Sequence, residues 1–287
     1  MTEPHAVEHV PVGDGISLHV RRWDGGDRRP LLLVHGLASN ARLWDGVAGR
    51  LHAAGHPVAA VDQRGHGRSS KPDAGYDMAT VVEDLRRLLD RLGWEGPVVA
   101  GQSWGGNVVV ELAATHPGRT AGVVGVDGGT IELAERFPSW DACATELRPP
   151  PMAGMPAADL ERMLRSSHPD WPESGIQGTL ACFEVRDDGT IAPWLTLERH
   201  LLVLRGLWEH RPSERYGRIE EPVLLLAADA GPAGGEWHEA KARAHEDAVA
   251  ALRRGRVEWL RGDHDLHAQH PEQVADLLAT FADEIET

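Results

Sequence analysis

Residues 100–106 read "AGQSWGG" and place Ser103 between Gly101 and Gly105, straight after the apolar run "PVVA" (97–100). A short, continuous apolar run that ends in glycine reads as a buried strand. Residues 104–115, "WGGNVVVELAAT", then carry a helical pattern. Gly-x-Ser-x-Gly has a mechanical meaning only between a strand and a helix. There the glycines let the chain turn sharply enough to lift the hydroxyl clear of the backbone. The start of the helix aims N–H groups at the point where an oxyanion would develop. The competing interpretation is a structural turn with an incidental serine. The strand–turn–helix setting and the Gly105-Gly106 pair make Ser103 the candidate nucleophile.

Outward from this turn, short apolar runs alternate with helical patterns. "PLLLVHG" (30–36), "HPVAAVDQRG" (56–65), "GPVVAGQS" (96–103), "AGVVGVDGG" (121–129), "EPVLLLAAD" (221–229) and "GRVEWLRGDH" (255–264) read as strands. "ISLHVRRW" (16–23) alternates at period two and is expected to be an early, half-exposed strand. In 80–92, Val81, Val82, Leu85, Leu88, Leu89 and Leu92 form one apolar face, with Thr80 expected to cap it and Gly93 to end it. The last helix is expected from Pro271, showing Val274, Leu277, Leu278, Phe281 and Ile285 on one face. Such alternation predicts an α/β fold with a mostly parallel central sheet and helices on both faces.

The alternation breaks between about 130 and 218. That stretch has no strong strand run, is rich in proline and holds Trp140, Trp171, Trp194 and Trp208. "ADLERMLRSSH" and "WLTLERHLLVLRGLW" read as short amphipathic helices. The expected organisation is a core of residues 1–129 and 219–287 with an inserted helical cap, residues 130–218.

The chain has 287 residues and a formal charge of −15, from 44 acidic against 29 basic side chains. This argues against a nucleic-acid partner, which needs clustered Lys and Arg, and against an anionic membrane surface. A small-molecule partner is expected instead. "MTEPHAVEHV" has neither a basic nor an apolar leader segment, and no apolar run approaches the ~18–20 residues that span a bilayer. Two cysteines, Cys143 and Cys182, are too few for a disulfide framework and read as free thiols. The cytoplasm is the expected location.

A nucleophile needs a base and oxyanion donors. "VHGL" (34–37) ends the first central strand and can aim the N–H of Leu37 at the top of the sheet, with the N–H of Trp104 as second donor. His35 itself reads as structural. Of 16 histidines, His264 stands out, on the turn between the last strand and the last helix in "RGDHDLHAQHPEQ". That turn lies at the same carboxyl edge of the sheet as Ser103. His267 and His270 follow at three-residue intervals, but the spacing lacks H-E-x-x-H and no cysteine supports it, so no metal site is expected.

The chain resembles the α/β-hydrolase-fold superfamily over nearly its whole length. The matching pieces are "VHGL", "DQRGHGRS" (62–69), "GQSWGG", the cap, "PVLLLAAD" and "GDHDLHAQHPEQVADLL". The resemblance implies an esterase-like serine hydrolase with a Ser–acid–His triad, Ser103 and His264 at the matching positions, an oxyanion hole at Leu37 and Trp104, and no cofactor. It implies a buttressing role for the loop holding Asp62, Arg64 and His66. In the acid the sequence departs from the common pattern. The usual aspartate position falls on Gly231, with Ala228 at the preceding glycine. Asp127, which some members' pattern matches, and Asp229 are the two candidate acids. Asp127 is favoured because Gly128 and Gly129 follow it. Asp263 and Asp265 flank the histidine too closely in sequence to orient its ring.

A carboxylic ester or lactone (EC 3.1.1) of a small apolar molecule is the first expectation for the substrate, and amide, thioester and carbon–carbon bond hydrolysis use the same triad. Serine rather than aspartate at the nucleophile position counts against epoxide hydrolase and haloalkane dehalogenase chemistry. The four cap tryptophans are candidate substrate contacts, and each could equally belong to the cap's own core. A ligand-binding member without turnover is the remaining alternative, supported by the missing carboxylate at position 231.

Overall fold

A computed structural model of the chain describes residues 3–231 and 235–286, without the side chains of 235–237 and 286. Residues 1, 2, 232–234 and 287, among them both ends of the expected core, lie outside the described residues. An eight-stranded sheet runs in the order β1-β2-β4-β3-β5-β6-β9-β10. Its strands are β1 (Ala6–Gly13), β2 (Ile16–Trp23), β3 (Leu31–Val34), β4 (Val58–Val61), β5 (Val98–Gln102), β6 (Gly122–Val126), β9 (Val223–Asp229) and β10 (Gly255–Arg261). β1 pairs antiparallel with β2, and β2 with β4; every other pairing is parallel.

The central strands are apolar throughout because both faces are covered. Leu31 and Leu33 of β3 face one core, with Trp44, Val47 and Leu51 at α1 (Asp45–Ala53) and Leu278 and Phe281 of α11 (Pro271–Glu286). Leu32 and Val34 face the other. Their partners are Leu85, Leu88 and Leu89 of α2 (Met78–Leu92), Val108 and Leu112 of α3 (Trp104–Thr115), and Ala248 of α9 (Gly235–Ala251). Each fully buried Leu or Val contributes about 1.5–3 kcal/mol. Among the described residues no helix is long and apolar enough to cross a membrane.

Three local expectations are corrected. α2 starts two residues early, at Met78, and its cap is Asp77: the Asp77 carboxylate accepts the Thr80 N–H at 3.0 Å and the Thr80 hydroxyl at 2.7 Å. A carboxylate there satisfies an open N–H and also faces the positive end of the helix. β2 is not half-exposed; six of its eight residues are buried, because β1 covers its outer edge and Arg21 is neutralised by Asp45 through two bonds of 2.8 Å. The stretch between β6 and β9 also holds a small hairpin, β7 (Phe183–Val185) and β8 (Ile191–Pro193), turned by Gly189 with Asp188 binding the Thr190 N–H at 2.9 Å.

Around that hairpin lie α4 (Leu133–Arg136), α5 (Trp140–Glu146), α6 (Ala157–Ser167), α7 (Glu173–Leu180) and α8 (Leu197–Glu209). They do not share one core. Leu160, Leu164, Trp171 and Ile176 cluster with Leu43 and Ala268, whereas Leu133, Phe137, Cys143, Val203 and Leu207 join the α2–α3 core. Cys143 and Cys182 are free thiols.

Candidate active site

Ser103 stands between β5 and α3 with φ 52° and ψ −122°. This is a costly conformation for a residue with a side chain, and surrounding bonds hold it. The Ser103 N–H donates to Val126 O at 3.0 Å, and its carbonyl accepts the Gly106 N–H at 2.9 Å. Glycine at 105 is a packing requirement: a Cβ there would lie 2.5 Å from His35 O and 2.6 Å from Val34 O. The helix therefore starts flush against the end of β3. Gly128 does the same from the neighbouring strand, since a Cβ there would meet Ser103 O at 2.2 Å.

The loop after β3 is fixed from beneath. His35 donates from Nδ1 to Gly36 O at 2.7 Å and accepts the Gln63 N–H on Nε2 at 3.0 Å. Asp62 accepts the N–H of Ala41 at 2.7 Å and of Arg68 at 2.9 Å. Arg64 is bound to Asp84 of α2 through two bonds, 2.5 and 2.7 Å. His66 accepts the Ala38 N–H at 3.3 Å and stacks on Trp104 with ring centroids 5.3 Å apart. Burial holds both His35 and His66 below the usual histidine range, so they stay neutral. Among the described residues, the N–H groups of Leu37 and Trp104 have no protein acceptor.

His264 and Asp127 form a pair. Nδ1–H of His264 donates to Asp127 Oδ2 at 2.6 Å. Gln102 Nε2, beside Ser103, donates to His264 O at 3.2 Å and ties the histidine turn to the serine turn. Asp127 reaches the pair because it leaves β6 with φ 43° and its other oxygen takes the Ala228 N–H at 2.9 Å. Burial opposes ionisation of Asp127, but the bond and charge of His264, and then Lys241, outweigh it and hold the carboxyl below its usual range. For His264, the protein packed around one side of the ring opposes its charged form, and the bond and charge of Asp127 outweigh that, raising it above its usual range. The His264 side chain remains 53% exposed, against 2% for Asp127. The Ser103 hydroxyl makes no hydrogen bond to His264 in this structure.

Asp229 faces elsewhere, with its carboxylate on the Gly231 N–H at 2.8 Å. Asp263 is used by the turn itself, accepting the Asp265 N–H at 2.9 Å and Trp171 Nε1–H at 3.0 Å. His267 is fully buried beside Trp44, with both ring nitrogens unpartnered and its pKa pushed down to about 3 by burial. No group of three His, Cys, Asp or Glu able to hold a metal is found among the described residues.

The four tryptophans all have protein partners. Trp208 donates to Phe137 O at 3.0 Å and packs near Trp140, with Arg205 about equally close to both rings, at 5.0 and 5.2 Å. Arg68 and Lys71 lie over Trp194 at 5.4 and 5.1 Å. Trp171 joins the cluster of Leu160, Leu164 and Ile176 and bonds Asp263 on the His264 turn. One residue was not anticipated at all. Lys241 of α9 places Nζ 2.8 Å from Asp127 Oδ1 and 3.0 Å from Oδ2.

A parallel sheet with the serine turn after β5, the histidine turn after β10 and an intervening helical stretch defines the α/β-hydrolase fold. Residues 29–171 match the family model described as alpha/beta hydrolase fold, and the chain belongs to that family. It is 36% identical over 116 residues to the non-heme chloroperoxidase of Streptomyces lividans, covering 40% of this chain and 42% of that one. The first curated relatives are thus matched over less than half their length. The AB hydrolase superfamily protein YisY of Bacillus subtilis is 28% identical over 287 aligned positions, 96% of this chain and 98% of that one. Among solved structures, E-2-(acetamidomethylene)succinate hydrolase superposes with a TM-score of 0.77 at 24% identity, covering 97% of this chain and 99% of that one, a likeness of fold.

Proposed function

We propose that the protein is a serine hydrolase, a carboxylic-ester hydrolase that cleaves an ester or lactone of a small apolar molecule. Ser103 attacks the carbonyl carbon while His264 Nε2 takes its proton. Asp127 holds the Nδ1–H tautomer and stabilises the imidazolium. The N–H groups of Leu37 and Trp104 receive the oxyanion, each worth about 3–4 kcal/mol in such a role. His264 then protonates the leaving alkoxide. It next activates a water that hydrolyses the acyl-enzyme and restores Ser103. Residues 130–218 act as the cap over this site, and their Trp and Leu content underlies the apolar substrate.

The observation that carries this reading is the 2.6 Å bond from His264 to Asp127, tied through Gln102 to the strained turn at Ser103. The absent Ser103–His264 bond favours a second reading, ligand binding without turnover. Such bonds often tighten only with substrate bound, which ranks that reading second. A panel of p-nitrophenyl esters, lactones, thioesters and amides separates the two and the bond types. Esters or lactones are expected to turn over, with a loss of at least about 10³-fold in Ser103→Ala. No turnover of any substrate, with ligand-induced thermal shifts intact in Ser103→Ala, would overturn the hydrolase reading.

A further inference from the structure

Asp127 has more partners than an acid orienting a histidine requires. Oδ2 takes the His264 N–H at 2.6 Å, Oδ1 takes the Ala228 N–H at 2.9 Å, and Lys241 Nζ lies within 3.0 Å of both oxygens. Lys241 also donates to Ala228 O at 3.2 Å, so it is anchored on the strand end where the family's usual acid loop begins. Its side chain is 28% exposed, while Asp127 is almost fully enclosed. One buried carboxylate is therefore shared between the Lys241 ammonium and the His264 imidazole, which becomes cationic when protonated. The charge of either partner changes what the other experiences through Asp127.

We propose that Lys241 is a positioning residue of the site, clamping both oxygens of Asp127 and offsetting part of the negative charge Asp127 presents to His264. The clamp fixes the carboxylate that reaches the histidine from β6. The offset keeps His264 from becoming too strong a base, which would leave it protonated and idle at neutral pH. Lys241 is correspondingly among the groups that oppose protonation of His264 and favour ionised Asp127. Other charged or titratable groups face the pair. Asp263 and Asp265 flank His264, His168 lies 3.8 Å from Asp263, and buried His267, lowered chiefly by burial, also feels the His264 charge. His245, one turn along α9, bonds Lys241 O through Nδ1 at 2.8 Å. Among the described residues Lys241 is the only Lys or Arg whose side chain touches Asp127.

The proposal rests on the hydrolase reading for its purpose but not for its test. In the full chain, the His264 ring is titrated by NMR in wild type, Lys241→Met, Lys241→Gln and Lys241→Arg, with His264→Gln assigning the signal. Met and Gln are expected to raise the proton affinity of His264 at least about threefold, roughly half a pH unit, and Arg to restore it. The acid limb of fluorophosphonate labelling at Ser103 is expected to move to higher pH by the same amount. A purely structural lysine would slow labelling at every pH without moving the limb. An unmoved or lowered His264 titration in the Met and Gln variants overturns the proposal. Wild-type protein that titrates as expected but never labels overturns the hydrolase reading instead.

Discussion

At the scale of single residues, the site divides by what its chemistry needs locally. Ser103 and His264 are legible in the sequence as candidates because each sits on a turn that the backbone marks. Glycines at 101, 105 and 106 mark one, and the last strand-to-helix junction marks the other. Asp127 was half legible: two glycines after it suggested a turn, but Asp229 stood nearer the usual place. Their conformations place them differently. Asp127 leaves its strand at φ 43°, which aims its carboxylate at His264, whereas Asp229 spends its own on Gly231. Lys241 was illegible, because a lysine on an outer helix carries no motif and its meaning comes only from packing. Asp127→Asn is accordingly expected to lower kcat by about 10³–10⁴-fold, by favouring the wrong tautomer of His264. Asp229→Asn should change kcat by less than about threefold, because it lies outside the pair. Steady-state kinetics on an ester checks this, and the reverse order would move the acid to Asp229.

Among the elements, long periodic patterns mark the helices clearly and mark their ends less clearly. The apolar face of 80–92 identifies α2, yet its cap is Asp77, because its carboxylate stands three residues before Thr80, accepts the open Thr80 N–H and hydroxyl, and gains from the helix dipole. Asp77→Ala should cost about 1 kcal/mol in urea unfolding, with Thr80→Ala costing less. Equal costs, or a larger one for Thr80→Ala, would contradict the assignment. β2 misled for a related reason. Period-two alternation predicts one wet face, but His19 and Arg21 are buried with partners that a sequence pattern cannot show. The hairpin β7–β8 leaves no mark in the sequence pattern because three-residue strands are too short for periodicity to register.

For the whole molecule, alternation of apolar runs with helices was enough to give a parallel sheet, and parallel strands all end on one edge. That edge gathers Ser103 from β5, Asp127 from β6, His264 after β10 and Leu37 after β3. The stretch 130–218 was harder to read, because its helices divide between the main core and a small cluster of their own. On the proposed function, this gathered edge activates Ser103 as a nucleophile. Its most direct test is labelling of the full chain with a fluorophosphonate, followed by intact mass and peptide mapping. One phosphonyl adduct per chain is expected, on Ser103, absent in Ser103→Ala and formed at least about 100-fold more slowly in His264→Ala. No adduct on the wild-type chain, or an adduct that persists in Ser103→Ala, would contradict it.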